Sequence, residues 1–455
     1  MTDKSLTFLP PAEYKKQILD PKSSSFCGAK YYLASLWLHT GTNASCYHNR
    51  GHAINVDEIL TNPSALHNTE QKKKERQLMR EGEQPPGCEF CWTIENGMTE
   101  NNLSDRVWNS GAHTDEELLE AFNADYDRDF NLIKTEVTFD RTCQFACSYC
   151  GPWLSTSWVK DIKKNGIYTG LDADKRQTYT NIGEDKNMKQ YGFNEPNPYA
   201  DAFLKWWDTD LHRTLEELRV SGGEPFMSGN FWRLIDWFAT NSDKTTARLA
   251  INSNLGYDTS ELDKFFTKLN GYKNVGFYVS AEAFGAKGEY VRDGLRWSQW
   301  VANVDKLLDA GIQVETMGTL STPSVDGLVE YLDFMIPYKK KYGIMALQLS
   351  IQPVIHPIFQ SIIVLPTELS QMYKTEIETW YNNPLNNKWL TVYEHENIKR
   401  FITYLDQMQT PILEADVNIE ESRKSFKNFF TQYDQRRGKN FAATFPRLAN
   451  WYNTL

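Results

Sequence analysis

The sequence predicts an α/β fold: a TIM-like barrel with a cysteine-bearing unit before it and a helical extension after it. Two observations carry this. Six short apolar or β-branched stretches between Glu136 and Gln352 alternate with helical patterns, which implies parallel βα units in an open or closed barrel. All seven cysteines lie at positions 27, 46, 88, 91, 143, 147 and 150, and the last 305 residues hold none, so the chain also divides by composition.

In chain order, the first unit is expected over 1–126. Residues 1–16 are polar, contain Pro10-Pro11 and lack the apolar stretch of a secretory signal. Thr114-Asp115-Glu116-Glu117 has the pattern of a capping box and predicts a helix start. The barrel is expected over 127–355, with strands at 134–139, 217–221, 248–252, 276–280, 313–318 and 345–351. Helices are expected at 231–240, 300–310 and 324–338; the second carries Val301, Val304, Leu307 and Leu308 and stops at Gly311. The polar stretch 163–202, with Asn194-Glu195-Pro196-Asn197-Pro198 near its end, breaks the rhythm and is expected as an insertion over the barrel mouth, a lid or a surface decoration. The extension 356–455 has helical patterns at 366–381 and 396–408 and an aromatic, basic tail at 426–451.

A net charge of −10 argues against a general nucleic-acid binder, which needs a basic surface. The local run Lys72-Lys73-Lys74-Glu75-Arg76 reads as the solvated face of a helix. No apolar run approaches a membrane span. The expected compartment is the cytoplasm, where thiols stay reduced and clustered cysteines read as metal ligands.

Directly after the first strand comes Cys143-Gln144-Phe145-Ala146-Cys147-Ser148-Tyr149-Cys150, a C-x3-C-x-aromatic-C pattern. Three thiolates at this spacing suit three corners of a cubane iron–sulfur cluster and leave one iron open; alone, the run also suits zinc. The second strand ends in Ser221-Gly222-Gly223-Glu224-Pro225. Its glycines allow close approach of a ligand and its carboxylate can neutralise an ammonium, although the same residues make a good strand-to-helix turn.

The two motifs, one βα unit apart, resemble the signature of the radical S-adenosylmethionine enzymes. The resemblance implies a partial (β/α)6 barrel with a [4Fe–4S] cluster on Cys143, Cys147 and Cys150. The open iron of that cluster chelates S-adenosylmethionine, Tyr149 packs near the adenine, and Gly222, Gly223, Glu224 and Pro225 meet the methionine amino group. Asn254, Ser280, Glu282 and Arg292 follow in the expected order as contacts to the ribose and the methionine carboxylate. Each alone is more often a capping or turn residue. The last strand, with Gln348 and Ser350, is expected to flank the adenine.

The other cysteines give C-x13-G-x4-C over Cys27, Gly41 and Cys46, then Cys88-Glu89-Phe90-Cys91. This is similar to the twitch domain, a half-SPASM unit that binds an auxiliary cluster. Twitch domains usually follow the barrel, whereas here the pattern precedes it. Four cysteines can ligate a second [4Fe–4S] cluster fully, and they also suit a structural zinc. His48, His52 and His67 read as surface or structural residues. The layout resembles twitch-containing radical enzymes often met in bacteriophage genomes. It implies hydrogen abstraction from a peptide or small molecule, a net oxidation or cross-link, and an electron donor such as flavodoxin or ferredoxin. Modification of a nucleotide or nucleic acid, and a non-catalytic zinc-stabilised binding protein, stand as alternatives.

Overall fold

The computed structural model describes residues 9–47, 51–97, 103–182, 190–192, 195–407 and 417–455. Its strands are β1 (Leu33–Trp37), β2 (Thr42–Ala44), β3 (His52–Ala53), β4 (Lys134–Thr138), β5 (Ala146–Cys147), β6 (Glu217–Ser221), β7 (Arg248–Ser253), β8 (Val275–Ser280), β9 (Arg292–Asp293), β10 (Val314–Leu320) and β11 (Leu347–Pro353). Among the described residues nine of them form one open sheet, in the order β11-β10-β8-β7-β6-β4-β1-β2-β3. The six strands from β4 to β11 in this sheet are parallel and lie in chain order, as the alternation of strand and helix predicts.

Period-two patterning decides which face each strand buries. In β6, Leu218 and Val220 are fully buried in one core with Leu234, Phe238 and Phe265 of the intervening helices Gly229–Asn241 and Thr259–Leu269. Glu217, Arg219 and Ser221 alternate with them and face the other way. That second face is polar. The Arg219 guanidinium lies 3.9 Å from the Tyr278 ring centroid, and Arg248 reaches both Glu217, at 2.9 Å, and the Tyr278 hydroxyl, at 3.0 Å.

The N-terminal region does not build a sheet of its own. β1 runs parallel to β4 in register from Leu33 opposite Lys134 to Trp37 opposite Thr138, and β2 and β3 continue antiparallel outside it. Nothing in the short run Leu33–Trp37 announces this pairing partner a hundred residues away.

Within the described part of the 163–202 insertion, two tyrosines are anchored in the core. Tyr168 and Tyr179 are fully buried against Trp158 and against Phe429 of the helix Ile419–Arg437. The aromatic tail packs likewise, with Phe426, Phe430, Tyr433 and Phe441 buried. No described helix is long and apolar enough to cross a membrane. Asn194, Met408 and His48 lie outside the described residues.

Candidate functional site

The C-x3-C-x-aromatic-C run forms a loop at the carboxyl end of β4, clamped from several sides. β5 pairs antiparallel with β9, setting Cys147 opposite Arg292, and the Ser148 N–H donates to the Val291 carbonyl at 2.7 Å. Phe145 is the wedge of the loop. A side chain at Gly256 would meet its ring at 2.2 Å, and one at Gly294, where φ is +106°, at 2.7 Å. Trp158 Nε1 donates to the Cys147 carbonyl at 3.0 Å, Gln360 Nε2 to the Ser148 carbonyl at 2.8 Å, and the Tyr433 hydroxyl to the Ala146 carbonyl at 3.2 Å. The helix Thr156–Asn165, the segment after β11 and the helix Ile419–Arg437 therefore all brace the same loop.

Cys143 and Cys147 are buried and Cys150 is half-buried. Burial pushes Cys147 up to about 11 and Cys150 to about 12, and burial with the Cys147 charge raises Cys143 well above the ordinary thiol value. At neutral pH they ionise only beside a strong cation, which is what an iron site supplies. Donors already point at the sulfurs: Asn254 Nδ2 at 3.6 Å from Cys143 and Arg292 Nη1 at 3.9 Å from Cys147.

The Gly222-Gly223-Glu224-Pro225 loop docks on the cysteine loop backbone to backbone. Gly223 N–H donates to the Asp140 carbonyl at 3.2 Å and Glu224 N–H to the Thr142 carbonyl at 2.7 Å. A side chain at Gly222, where φ is +123°, would meet Asp140 O at 2.7 Å, and one at Gly223 would meet Thr142 O at 2.2 Å. What the glycines let near is thus the cysteine loop itself. Pro225 is buried at the start of the short turn Pro225–Met227. The Glu224 carboxylate, 1% exposed, accepts from Asn254 N–H at 2.7 Å, Ser253 Oγ at 3.0 Å and Phe226 N–H at 3.2 Å. It pins the end of β7 and so sets Asn254 against Cys143.

Burial pushes the Glu224 carboxyl from 4.5 up to about 7, against these donors. The folded chain then holds a proton that the unfolded chain has released, so stability falls as pH rises from about 4.5 to about 7 and is flat above. Urea unfolding of the apoprotein should show this slope, and Glu224→Gln should flatten it. An unchanged slope in the variant assigns the dependence to another group.

Glu282, Arg292 and Tyr149 form one buried unit. Glu282 Oε2 accepts from Arg292 Nε at 2.9 Å and Nη2 at 2.6 Å, and Oε1 from the Tyr149 hydroxyl at 2.8 Å. Burial works against the Arg292 charge, but Glu282 outweighs it and raises the guanidinium pKa. The Arg292 guanidinium also sits 5.5 Å from the Tyr149 ring centroid. Ser280 ends β8 opposite Met317 of β10, and Gln348 and Ser350 lie on β11.

The other cysteines form a second site. Cys27, Cys46, Cys88 and Cys91 line one pocket together with Lys30, Met79, Trp92 and Arg106. Burial, then the Cys88, Cys46 and Cys91 charges, push Cys27 up to about 12. Among the described residues no three His, Cys, Asp or Glu side chains gather tightly enough to hold a single metal ion. Cys46 also lines a neighbouring pocket with Lys134, Glu136, Glu217 and Arg219, at the amino-terminal ends of β4 and β6. Cys46 thus lies near the amino-terminal end of β4, whereas the C-x3-C-x-aromatic-C loop follows its carboxyl end.

The run from Lys72 to Arg76 corrects the expectation of a solvated face. Lys72, Glu75 and Arg76 turn inward on the helix Glu70–Arg80 and are buried beneath this site. His67 Nε2 contacts the Tyr31 carbonyl at 2.7 Å, and His52 Nε2 the Thr69 hydroxyl at 2.7 Å. Sequence reasoning missed Lys30 and Ser104, single polar residues without a motif.

No family model and no curated protein sequence matches this chain. Parts of it are similar to solved structures. SuiB of Streptococcus suis bound to S-adenosylmethionine overlaps with a TM-score of 0.36 and 11% identity, over 77% of this chain and 68% of that one. Native anSMEcpe with bound AdoMet and a peptide overlaps with a TM-score of 0.34 and 12% identity, over 71% and 99%. A spore photoproduct lyase variant gives 0.29 and 12%, over 67% and 79%. At these TM-scores the overlaps carry no weight for the chemistry of the site.

Proposed function

We propose that the chain is a radical S-adenosylmethionine enzyme with a twitch-like auxiliary [4Fe–4S] cluster, oxidising or cross-linking a peptide or small molecule in the cytoplasm. One observation carries the reading. The three-cysteine loop at the end of β4 and the Gly-Gly-Glu-Pro loop at the end of β6 touch backbone to backbone, at the carboxyl end of a parallel sheet where such folds place their chemistry.

Cys143, Cys147 and Cys150 would hold the first cluster. When bound, it would supply the one-electron chemistry that cleaves S-adenosylmethionine into methionine and a 5′-deoxyadenosyl group able to take a hydrogen from a substrate carbon. The chain orients these parts. Glu224 fixes Asn254 beside Cys143, and the Glu282–Arg292–Tyr149 unit presents a fixed cation beside Cys147. Cys27, Cys46, Cys88 and Cys91 would hold the second cluster, which would supply an acceptor for one electron. The polar sheet face with Arg219 and Tyr278, where Glu136 and Arg219 line a pocket with Cys46, would suit a substrate, and a flavodoxin or ferredoxin would donate the first electron.

Anaerobic reconstitution should load about eight irons, four per cluster. Zinc without acid-labile sulfide would instead favour a zinc-stabilised binding protein. Cys88→Ala should still yield 5′-deoxyadenosine without substrate, while product from a screened peptide or small molecule drops to background. A thermal melt accompanies the assay, because metal binding is often folding energy. A well-folded Cys88→Ala variant with undiminished product yield would make the second site structural.

A further inference from the structure

The four-cysteine pocket rests on a buried basic layer. Lys30, Lys72 and Arg76 are 1%, 0% and 3% exposed. One carboxylate pairs with them among the described residues: Glu75 Oε2, 2.5 Å from Lys30 Nζ. Lys72 Nζ donates to the Leu33 carbonyl at 3.2 Å and contacts His67 Nδ1 at 2.8 Å. Arg76 donates to the Lys30 carbonyl at 3.1 Å and to Asn68 Oδ1 at 2.9 Å. The opposite wall is balanced, since Arg106 and Lys15 both face Asp20 and Glu95.

Burial and the Arg76 charge hold Lys72 well below the ordinary lysine pKa, which leaves Lys30 and Arg76 as buried cations against Glu75, a costly arrangement unless an anion completes it. Four thiolates on a bound cluster would be that anion. Lys30 lines the pocket with all four cysteines and its ammonium reaches Cys88, while the Ser104 hydroxyl and the Arg106 backbone N–H reach Cys91. A cubane on four thiolates carries a net negative charge, which grows by one on reduction. Hydrogen bonds and positive charge at its sulfurs favour that reduced form.

We propose that Lys30 tunes the auxiliary centre: its ammonium against Cys88 raises the reduction potential, so the centre takes an electron rather than releasing one. This rests on the auxiliary-cluster reading above and goes beyond it by assigning direction to one residue. Lys30 is a positioning and charge-supplying residue, not a ligand.

The test uses full-length chain carrying alanine at Cys143, Cys147 and Cys150, so that one cluster remains to be read. Iron and sulfide are counted first, then the cluster is titrated with dithionite under electron paramagnetic resonance. Lys30→Met should retain about four irons and lower the equilibrium for reduction tenfold or more, about 59 mV for one electron. Lys30→Arg should stay near the parent. Glu75→Gln leaves Lys30 in place without its counter-charge and should shift the potential the other way, which also serves if Lys30→Met fails to fold. Iron retained with unmoved potentials in both charge variants overturns the role of Lys30 alone. Absence of iron and sulfide in the parent overturns the auxiliary cluster and this inference together.

Discussion

Alanine at Cys143, Cys147 and Cys150 together is expected to abolish formation of 5′-deoxyadenosine and to leave about half the iron of the parent. The three thiols lie in one loop and would share one cluster, so its loss is expected to be all or none. The remaining iron is expected in the four-cysteine pocket, whose lining includes no residue of this loop. Iron analysis and chromatography of the nucleoside check this. A triple variant that keeps all its iron would remove the loop from metal binding. One that loses all of it would mean that the two sites assemble as a unit.

Glu282→Ala should destabilise the chain by about 3–5 kcal/mol, because it leaves the Arg292 guanidinium buried without its partner. The Tyr149 hydroxyl loses its acceptor in the same step. Since Arg292 lies on β9, against the cysteine loop, iron retention should fall with stability. The double variant Glu282→Leu with Arg292→Met should be more stable than Glu282→Ala, as removal of both charges leaves none unpaired. Urea unfolding of the three proteins decides it. A Glu282→Ala protein within about 1 kcal/mol of the parent would show that Arg292 finds water or another acceptor.

The six parallel strands from β4 to β11 of the main sheet were legible because each is a short apolar or β-branched run followed by polar or glycine residues, as in Glu217–Ser221. The two loops at their ends were legible because each is contiguous. Contacts between distant residues were not. β1 pairs with β4 across a hundred residues, and a five-residue apolar run does not name its partner. The Glu282–Arg292 pair depends on β5 and β9, two-residue strands too short to show a period. The Lys72–Arg76 run misleads for a physical reason. Charged residues at helical spacing normally mark a wet face, whereas here Lys72, Glu75 and Arg76 find buried partners in Leu33, Lys30 and Asn68, which are distant in sequence or carry no motif. The aromatic tail reads as a wall for a ligand or as core with equal ease, and Tyr433 on the Ala146 carbonyl shows it bracing the cysteine loop.

The most direct measurement is anaerobic incubation of the reconstituted chain with dithionite and S-adenosylmethionine, followed by quantification of 5′-deoxyadenosine and methionine. The proposed function predicts both products in equal amounts, dependent on reductant and absent from the triple cysteine variant. A reconstituted protein that carries iron and sulfide on Cys143, Cys147 and Cys150 yet leaves S-adenosylmethionine intact under these conditions would contradict it.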